Sequence, residues 1–271
     1  MGTAQAARAV RAEPAPDALA LDAKRPFIQR LFTRIAPRYD WFNRLASCGL
    51  DRRWRRQTLA WGDVGPGQRV LDVCAGTGDL ALLCARRQRG DSPAMRGRWR
   101  SQRGAAPGEG EGTVVGIDLN REMLARAQRK QRARRLPVSW VEGDAEALPF
   151  PDGSFDRVLI GFSTRNLSDL MGGLREMVRV LRPGGRLLIL ETGRPRHPVV
   201  RAGYQLFLFT AARAIGFLLT GRVWPFTYLA RSVQRFLAPE EMVARLASLN
   251  TEARYVPLSH GLASLYLAVK R

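Results

Sequence analysis

No Cys-x-x-Cys pair occurs in this 271-residue sequence. The three cysteines, Cys48, Cys74 and Cys84, are odd in number and widely spaced, which argues against a disulfide framework or a cysteine zinc site and makes a reducing cytoplasm the default compartment. With only His197 and His260 available, a histidine-rich metal site is excluded, and no metal is expected. There is no Gly-Lys-[Ser/Thr] phosphate loop and no complete Gly-x-Gly-x-x-Gly. Residues 1–24 lack an apolar core, so no secretory signal is expected. The longest apolar run, 204–219, is interrupted by Arg213 and falls short of the roughly 20 residues needed to span a bilayer. Acidic residues are scarce as well: 24 Asp and Glu face 44 Lys and Arg, a net charge of +20. That balance favours polyanions, either nucleic acid or an anionic membrane surface, although an arginine-rich coding bias produces the same excess without such a partner.

What is present is organised around Arg69-Val-Leu-Asp-Val-Cys-Ala-Gly-Thr-Gly-Asp-Leu80. A short apolar run ends in small residues and passes directly into a segment with helical apolar spacing, which predicts strand, glycine turn and helix. Gly76 and Gly78 suit a turn that needs positive φ or close approach of a ligand to backbone. The helix that follows directs unpaired N–H groups toward that ligand. Residues 113–117 read as a second buried strand ending in Asp118, the place where nucleotide-binding α/β folds set a carboxylate for ribose hydroxyls. The spacing from Gly78 is longer than the usual ~20 residues because 88–112 looks inserted. A third strand, 138–142, is closed by Asp144. Successive acidic strand ends without a phosphate grip describe a nucleoside pocket, and favour S-adenosylmethionine over NAD or ATP.

In chain order, residues 1–25 read as a disordered tail. Residues 26–61 read as two or three short helices forming a cap, in which Phe32 and Trp54 fit a core role while Tyr39, Asp40 and Asn43 fit a lined pocket. The 88–112 insertion is basic and low in complexity, and fits a surface loop. A fourth strand at 157–161 leads into Phe162-Ser-Thr-Arg-Asn-Leu167, at the carboxyl edge where ligands bind in open α/β sheets. An amphipathic helix at 174–181 is ended by Arg182-Pro-Gly-Gly185, and a fifth strand at 186–190 runs into Glu191. The 199–237 segment is apolar, and its central run predicts a helix that lies in a membrane interface, covers a greasy substrate, or simply packs. A helix at 239–249 and two strands at 253–256 and 261–269 complete a doubly wound α/β sheet with an antiparallel edge.

Five stretches, Ile35-Ala-Pro-Arg-Tyr-Asp40, residues 70–80, Glu142-Gly-Asp-Ala-Glu-Ala-Leu-Pro-Phe-Pro-Asp152, Arg165-Asn166 and Val180-Leu-Arg-Pro-Gly-Gly185, together resemble the ubiquinone/menaquinone biosynthesis C-methyltransferases. The resemblance runs from about Phe27 to the end, over a single domain at 26–271. It implies a Rossmann-like class I methyltransferase with a mostly parallel seven-stranded sheet. It further implies that Thr77, Asp118, Asp144 and Ala145 contact the cofactor, with Asp118 on the ribose and Asp144 near the adenine amine; Asp72, Gly76, Gly78 and Gly161 complete the expected cofactor site. Gly161 stands where the family usually has serine, so a hydroxyl contact to the cofactor is lost; His260-Gly261 replaces a Gly-Gly expected near the C-terminus.

The implied reaction is methylation of a prenylated hydroquinone, demethylmenaquinol ahead of a ubiquinone-pathway benzoquinol. Arg165 would stabilise the phenolate, with Asn166 and Tyr39 orienting the ring; a salt bridge from Arg165 to Asp169 is the purely structural alternative. The implied setting is cytoplasmic and peripheral at an anionic inner membrane face, without nucleic acid, and with homo-oligomerisation left open. An RNA methyltransferase and a non-catalytic cofactor-binding protein are the competing expectations.

Overall fold

The computed structural model describes residues 21–90, 112–220 and 224–271. One sheet carries seven strands in the order β3-β2-β1-β4-β5-β7-β6. They are β1 Val70–Val73, β2 Val114–Asp118, β3 Ser139–Glu142, β4 Phe155–Gly161, β5 Leu181–Thr192, β6 Thr251–Leu258 and β7 Ala263–Lys270. β1 to β5 pair in parallel, and β7 is antiparallel to both β5 and β6. The last two strands thus finish the sheet with an antiparallel edge, as the sequence suggested, with β7 inside and β6 outermost. Burial explains the order: β7 is inaccessible along most of its length, as an interior strand requires, whereas β6 is half exposed.

The strands bury alternate side chains on opposite faces. Leu71, Val73, Val158, Ile160, Leu187 and Ile189 pack with Leu174 and Met177 of α6 (Leu170–Arg179) and with Met242 and Leu246 of α10 (Pro239–Ala247). Val70, Leu159, Leu188 and Leu190 face Trp54 and Leu59 of α3 (Leu50–Trp61) and Leu82 and Ala85 of α4 (Asp79–Gln88). This two-sided core is what makes the sheet doubly wound, and α5 (Arg121–Arg134) completes the crossover from β2 to β3.

A second layer of helices sits over the carboxyl ends of the strands. It combines α1 (Leu21–Ile35) and α2 (Tyr39–Ala46) with α7 (Pro198–Phe209), α8 (Ala211–Thr220) and α9 (Trp224–Arg235). Phe27 and Leu31 pack on Tyr228, and Ile35 and Phe42 pack with Ile215.

Three sequence expectations need adjusting. Helix α1 begins at Leu21, within the stretch assigned to a disordered tail; Pro26 looks like a first helical residue but lies inside the helix. Residues 1–20 of that tail, and residues 91–111 of the insertion, lie outside the described residues. The apolar run at 204–219 is two helices rather than one, because the backbone leaves helical geometry at Thr210. Finally, residues 181–185 open β5 instead of closing a helix. The pairing with β4 skips from Leu181 to Arg186, so Arg182, Pro183, Gly184 and Gly185 form an irregularity within the strand.

Candidate functional site

Two adjoining cavities open at the carboxyl edge of the sheet. The first is a cleft walled by the ends of β1, β2, β3 and β4 and roofed by α1. Asp72, Gly76, Thr77, Asp118, Asp144, Ala145 and Gly161 line it, and so do Tyr39 and Asn166. The second cavity is walled mainly by apolar residues of the cap, among them Leu31, Ile35, Phe42, Phe207 and Leu208, and Arg165 faces it. Phe32, Tyr39 and Asn166 belong to both, so the cavities meet at these three side chains. Phe32, read from sequence as core, is a wall of both; Trp54 is buried as expected but also lines the second cavity, and donates from its indole to Ser259 Oγ at 2.9 Å.

The glycine turn is held by carboxylates. Asp118 accepts from the Gly76 N–H at 2.7 Å and from the Asn120 N–H at 2.8 Å, and burial raises its pKa. Asp72 is buried at the end of β1 and accepts from the Ala81 N–H at 2.9 Å, inside the first turn of α4. Burial pushes its carboxyl up to about 7, against the pull of that hydrogen bond and of Arg55. Gly76 has φ +56° and open space beside its Cα, so its conformation alone calls for glycine.

Gly78 does not line the cleft. Its φ is +81°, and a Cβ there would lie 2.5 Å from the Trp140 ring and 2.9 Å from Ala127 Cβ. Packing of β3 and α5 against the turn, rather than ligand approach, requires that glycine. Gly161 does line the cleft, and a Cβ there would sit 2.7 Å from Leu80 Cδ1. A side chain at position 161 would therefore require the tip of Leu80 to shift.

Cap and turn are joined by a polar cluster. Thr77 Oγ1 donates to Asp40 Oδ1 at 2.5 Å, and Lys130 Nζ reaches Thr77 Oγ1 at 2.9 Å, Asp79 Oδ1 at 2.8 Å and Asp40 Oδ2 at 2.6 Å. Asp40 is therefore a clamp on the turn, not a residue lining either cavity.

Helix α1 touches three of the loops that frame the cleft. Arg25 pairs with Asp144 and Glu146, Lys24 donates to the Leu167 carbonyl at 2.5 Å, and Asn120 donates to Thr33 Oγ1 at 2.8 Å. Arg25 and Arg55 both line the cleft and were not selected from sequence. Arg25 fell within the presumed tail. Arg55 sits in an arginine-rich helix, where nothing distinguishes it except its i, i+4 partner Asp51, 2.6 Å away.

Arg165 does not pair with Asp169. Its guanidinium forms a buried ion pair with Glu191 at the end of β5 and donates to the Phe162 carbonyl at 2.6 Å. Thr164 Oγ1 and the Thr192 N–H, both at 2.8 Å, complete the carboxylate's partners. Burial opposes the arginine's charge, but Glu191 outweighs it, and the pKa of Arg165 is raised above its ordinary value. It is a permanent cation facing the apolar cavity, paired with Glu191 and unable to act as a base. Asn166 accepts from the Tyr228 hydroxyl at 3.0 Å, and burial raises the pKa of Tyr39.

A sequence model of the ubiE/COQ5 methyltransferase family matches residues 20–270. A demethylmenaquinone methyltransferase of Thermus thermophilus is 40% identical over 237 residues, covering 88% of this chain and 98% of that protein. A ubiquinone/menaquinone biosynthesis C-methyltransferase of Geotalea uraniireducens is 35% identical, covering 90% of this chain and 96% of the relative. Among solved structures, a SAM-dependent methyltransferase from Aquifex aeolicus superimposes with a TM-score of 0.54 at 18% identity, over 80% of this chain and 89% of that one, a likeness of fold.

Proposed function

From the premise that this chain belongs to the ubiE/COQ5 methyltransferase family, we propose that it transfers a methyl group from S-adenosylmethionine to a ring carbon of a prenylated hydroquinone. Demethylmenaquinol is the favoured acceptor, since the two relatives with 40% and 37% identity both carry the demethylmenaquinone methyltransferase name. One observation carries the reading: a cleft rich in carboxylates meets an apolar cavity at Tyr39 and Asn166. A polar methyl donor and a greasy acceptor need that arrangement.

The donor set fits S-adenosylmethionine. Asp118 keeps lone pairs for ribose hydroxyls, and Gly76 presents bare backbone to the nucleoside. Thr77, Ala145 and Gly161 complete the wall, and Asp72 lies at its floor among buried groups. Asp144 closes the adenine end together with Arg25, to which it is paired. The donor supplies a methyl on a sulfonium whose departure as a neutral thioether needs no acid. What the chain contributes is alignment, for which effective molarities reach roughly 10⁵ to 10⁸ M. Arg165 favours the phenolate form of the acceptor, whose proton passes to water; the electron density released onto the ring makes the neighbouring carbon nucleophilic, and after methyl transfer the hydrogen on that carbon moves as a proton back to the ring oxygen and restores the hydroquinone. Asn166 and Tyr39 hold the ring at the junction.

Asp72 gives the donor site a pH dependence. Its folded pKa of about 7 lies above the ordinary 3.8, so the ligand-free protein holds an extra proton between those values and loses stability as pH rises through that window. A cationic donor favours the carboxylate, so binding expels the proton. Donor affinity should increase from pH 6 to 8, with proton release visible as a buffer-dependent heat in calorimetry. Equal heats in buffers of different ionisation enthalpy would remove Asp72 from this role.

The acceptor's prenyl tail resides in a bilayer, and the surface of the cap supports peripheral docking there. Leu206, Phe217 and Leu218 are exposed on α7 and α8, and Trp41 and Leu45 on α2, in a chain of net charge +20. Among the described residues, no helix is long and apolar enough to cross a membrane. The deciding experiment incubates the protein with labelled donor and with reduced naphthoquinol or benzoquinol in anionic vesicles. The expected product is the quinol heavier by one methyl on carbon, formed faster from the naphthoquinol. Label in neither quinol would refute the reading, and equal turnover in neutral vesicles would refute anionic docking.

A further inference from the structure

We infer that Tyr204 hydrogen-bonds the hydroxyl of the acceptor ring that points away from the cofactor cleft, an inference that rests on the hydroquinone reading above. Three tyrosines face the apolar cavity: Tyr39, Tyr204 and Tyr228. Two are committed inside the protein, since Tyr39 is hydrogen-bonded to Asn43 and Tyr228 donates to Asn166. Tyr204, on α7, has no hydrogen-bond partner among the described residues. Phe207, Leu208 and Val233, which line this cavity with it, offer no side-chain donor or acceptor, although Thr192 also lines it and Tyr204 borders a third cavity with Arg201 and Gln234.

Position distinguishes it further. Tyr39 and Asn166 line both cavities, whereas Tyr204 lines only the apolar one of the two. Arg165 lines the same cavity as Tyr39 and Tyr204, and its charge acts on both. A ring whose reacting carbon sits at the junction has one hydroxyl beside Asn166 and Arg165. Its other hydroxyl, on the opposite side of the ring, points away from the cleft into the apolar cavity. There the phenol of Tyr204 is a polar group with no hydrogen-bond partner among the described residues. Burial raises its pKa, so it stays a neutral hydroxyl that can both donate and accept. A site built to pair a substrate hydroxyl discriminates against analogues without it, since the protein group is then left unpaired.

The test compares the full-length protein with Tyr204→Phe, using the prenylated hydroquinone and the matching monophenol that lacks the far hydroxyl. Phenylalanine preserves the cavity wall, and no internal hydrogen bond is lost, so the melting temperature and donor affinity should not change. The expected result is an approximately tenfold fall in kcat/KM for the hydroquinone. The wild-type preference for hydroquinone over monophenol should shrink by the same factor in the variant. An unchanged preference, or unchanged kcat/KM, overturns the assignment of Tyr204 while leaving the hydroquinone reading intact. A wild-type protein that methylates no hydroquinone overturns that reading and this inference with it.

Discussion

Arg165→Ala should abolish methyl transfer and, at the same time, destabilise the fold by about 3–5 kcal/mol, because it strands Glu191 as an unpaired buried carboxylate. The two effects can be separated. Arg165→Met combined with Glu191→Gln removes both charges while keeping side-chain volume, and replacing a buried ion pair by neutral groups of similar shape is often close to neutral for stability. Chemical denaturation should therefore show the double variant recovering most of the lost stability. Its turnover should nevertheless remain roughly 10² to 10⁴ below wild type, the range assigned to a group that assists ionisation of the reacting atom. Donor affinity should be retained, since Arg165 lines the acceptor cavity and not the donor cleft. A double variant that is stable and turns over normally would confine Arg165 to a structural role.

The second large effect lies in donor binding. Asp118→Ala is expected to weaken S-adenosylmethionine by about 2–4 kcal/mol, a thirty- to thousandfold rise in Kd. The loss has two sources. The ribose loses a charged acceptor, and the N–H groups of Gly76 and Asn120 lose the carboxylate that fixes the turn. Asp118→Asn keeps one oxygen acceptor and should fall between the two. Calorimetric titration with the donor reads both variants, and wild-type affinity in Asp118→Ala would dismantle the placement of the nucleoside.

Much of this was legible in the chain itself. The strand, turn and helix around residues 70–88 follow from apolar spacing and glycine, and the acids at 72, 118 and 144 do converge on one cleft. What escaped was whatever depends on contacts distant in sequence. Gly78 looked like a ligand-facing glycine because its crowding comes from Trp140 and Ala127, both far away in the sequence. Arg165 was weighed against Asp169, its neighbour in sequence, while its partner lies on β5. The proline at 26 concealed a further turn of α1, and with it Arg25. Nor could the order of the last two strands be read from alternation; it is decided by which of them the rest of the fold covers.

The bond between Thr77 and Asp40 has a consequence for modular redesign. Lys130 belongs to the sheet's own crossover helix, yet it grips a cap residue and a glycine-turn residue at once. Cap and nucleotide-binding frame are therefore not independent cassettes. A chimera that imports another relative's cap to change acceptor choice would have to carry an acid at position 40, or replace Lys130 as well, or the transplanted cap would sit out of register with the reactive methyl.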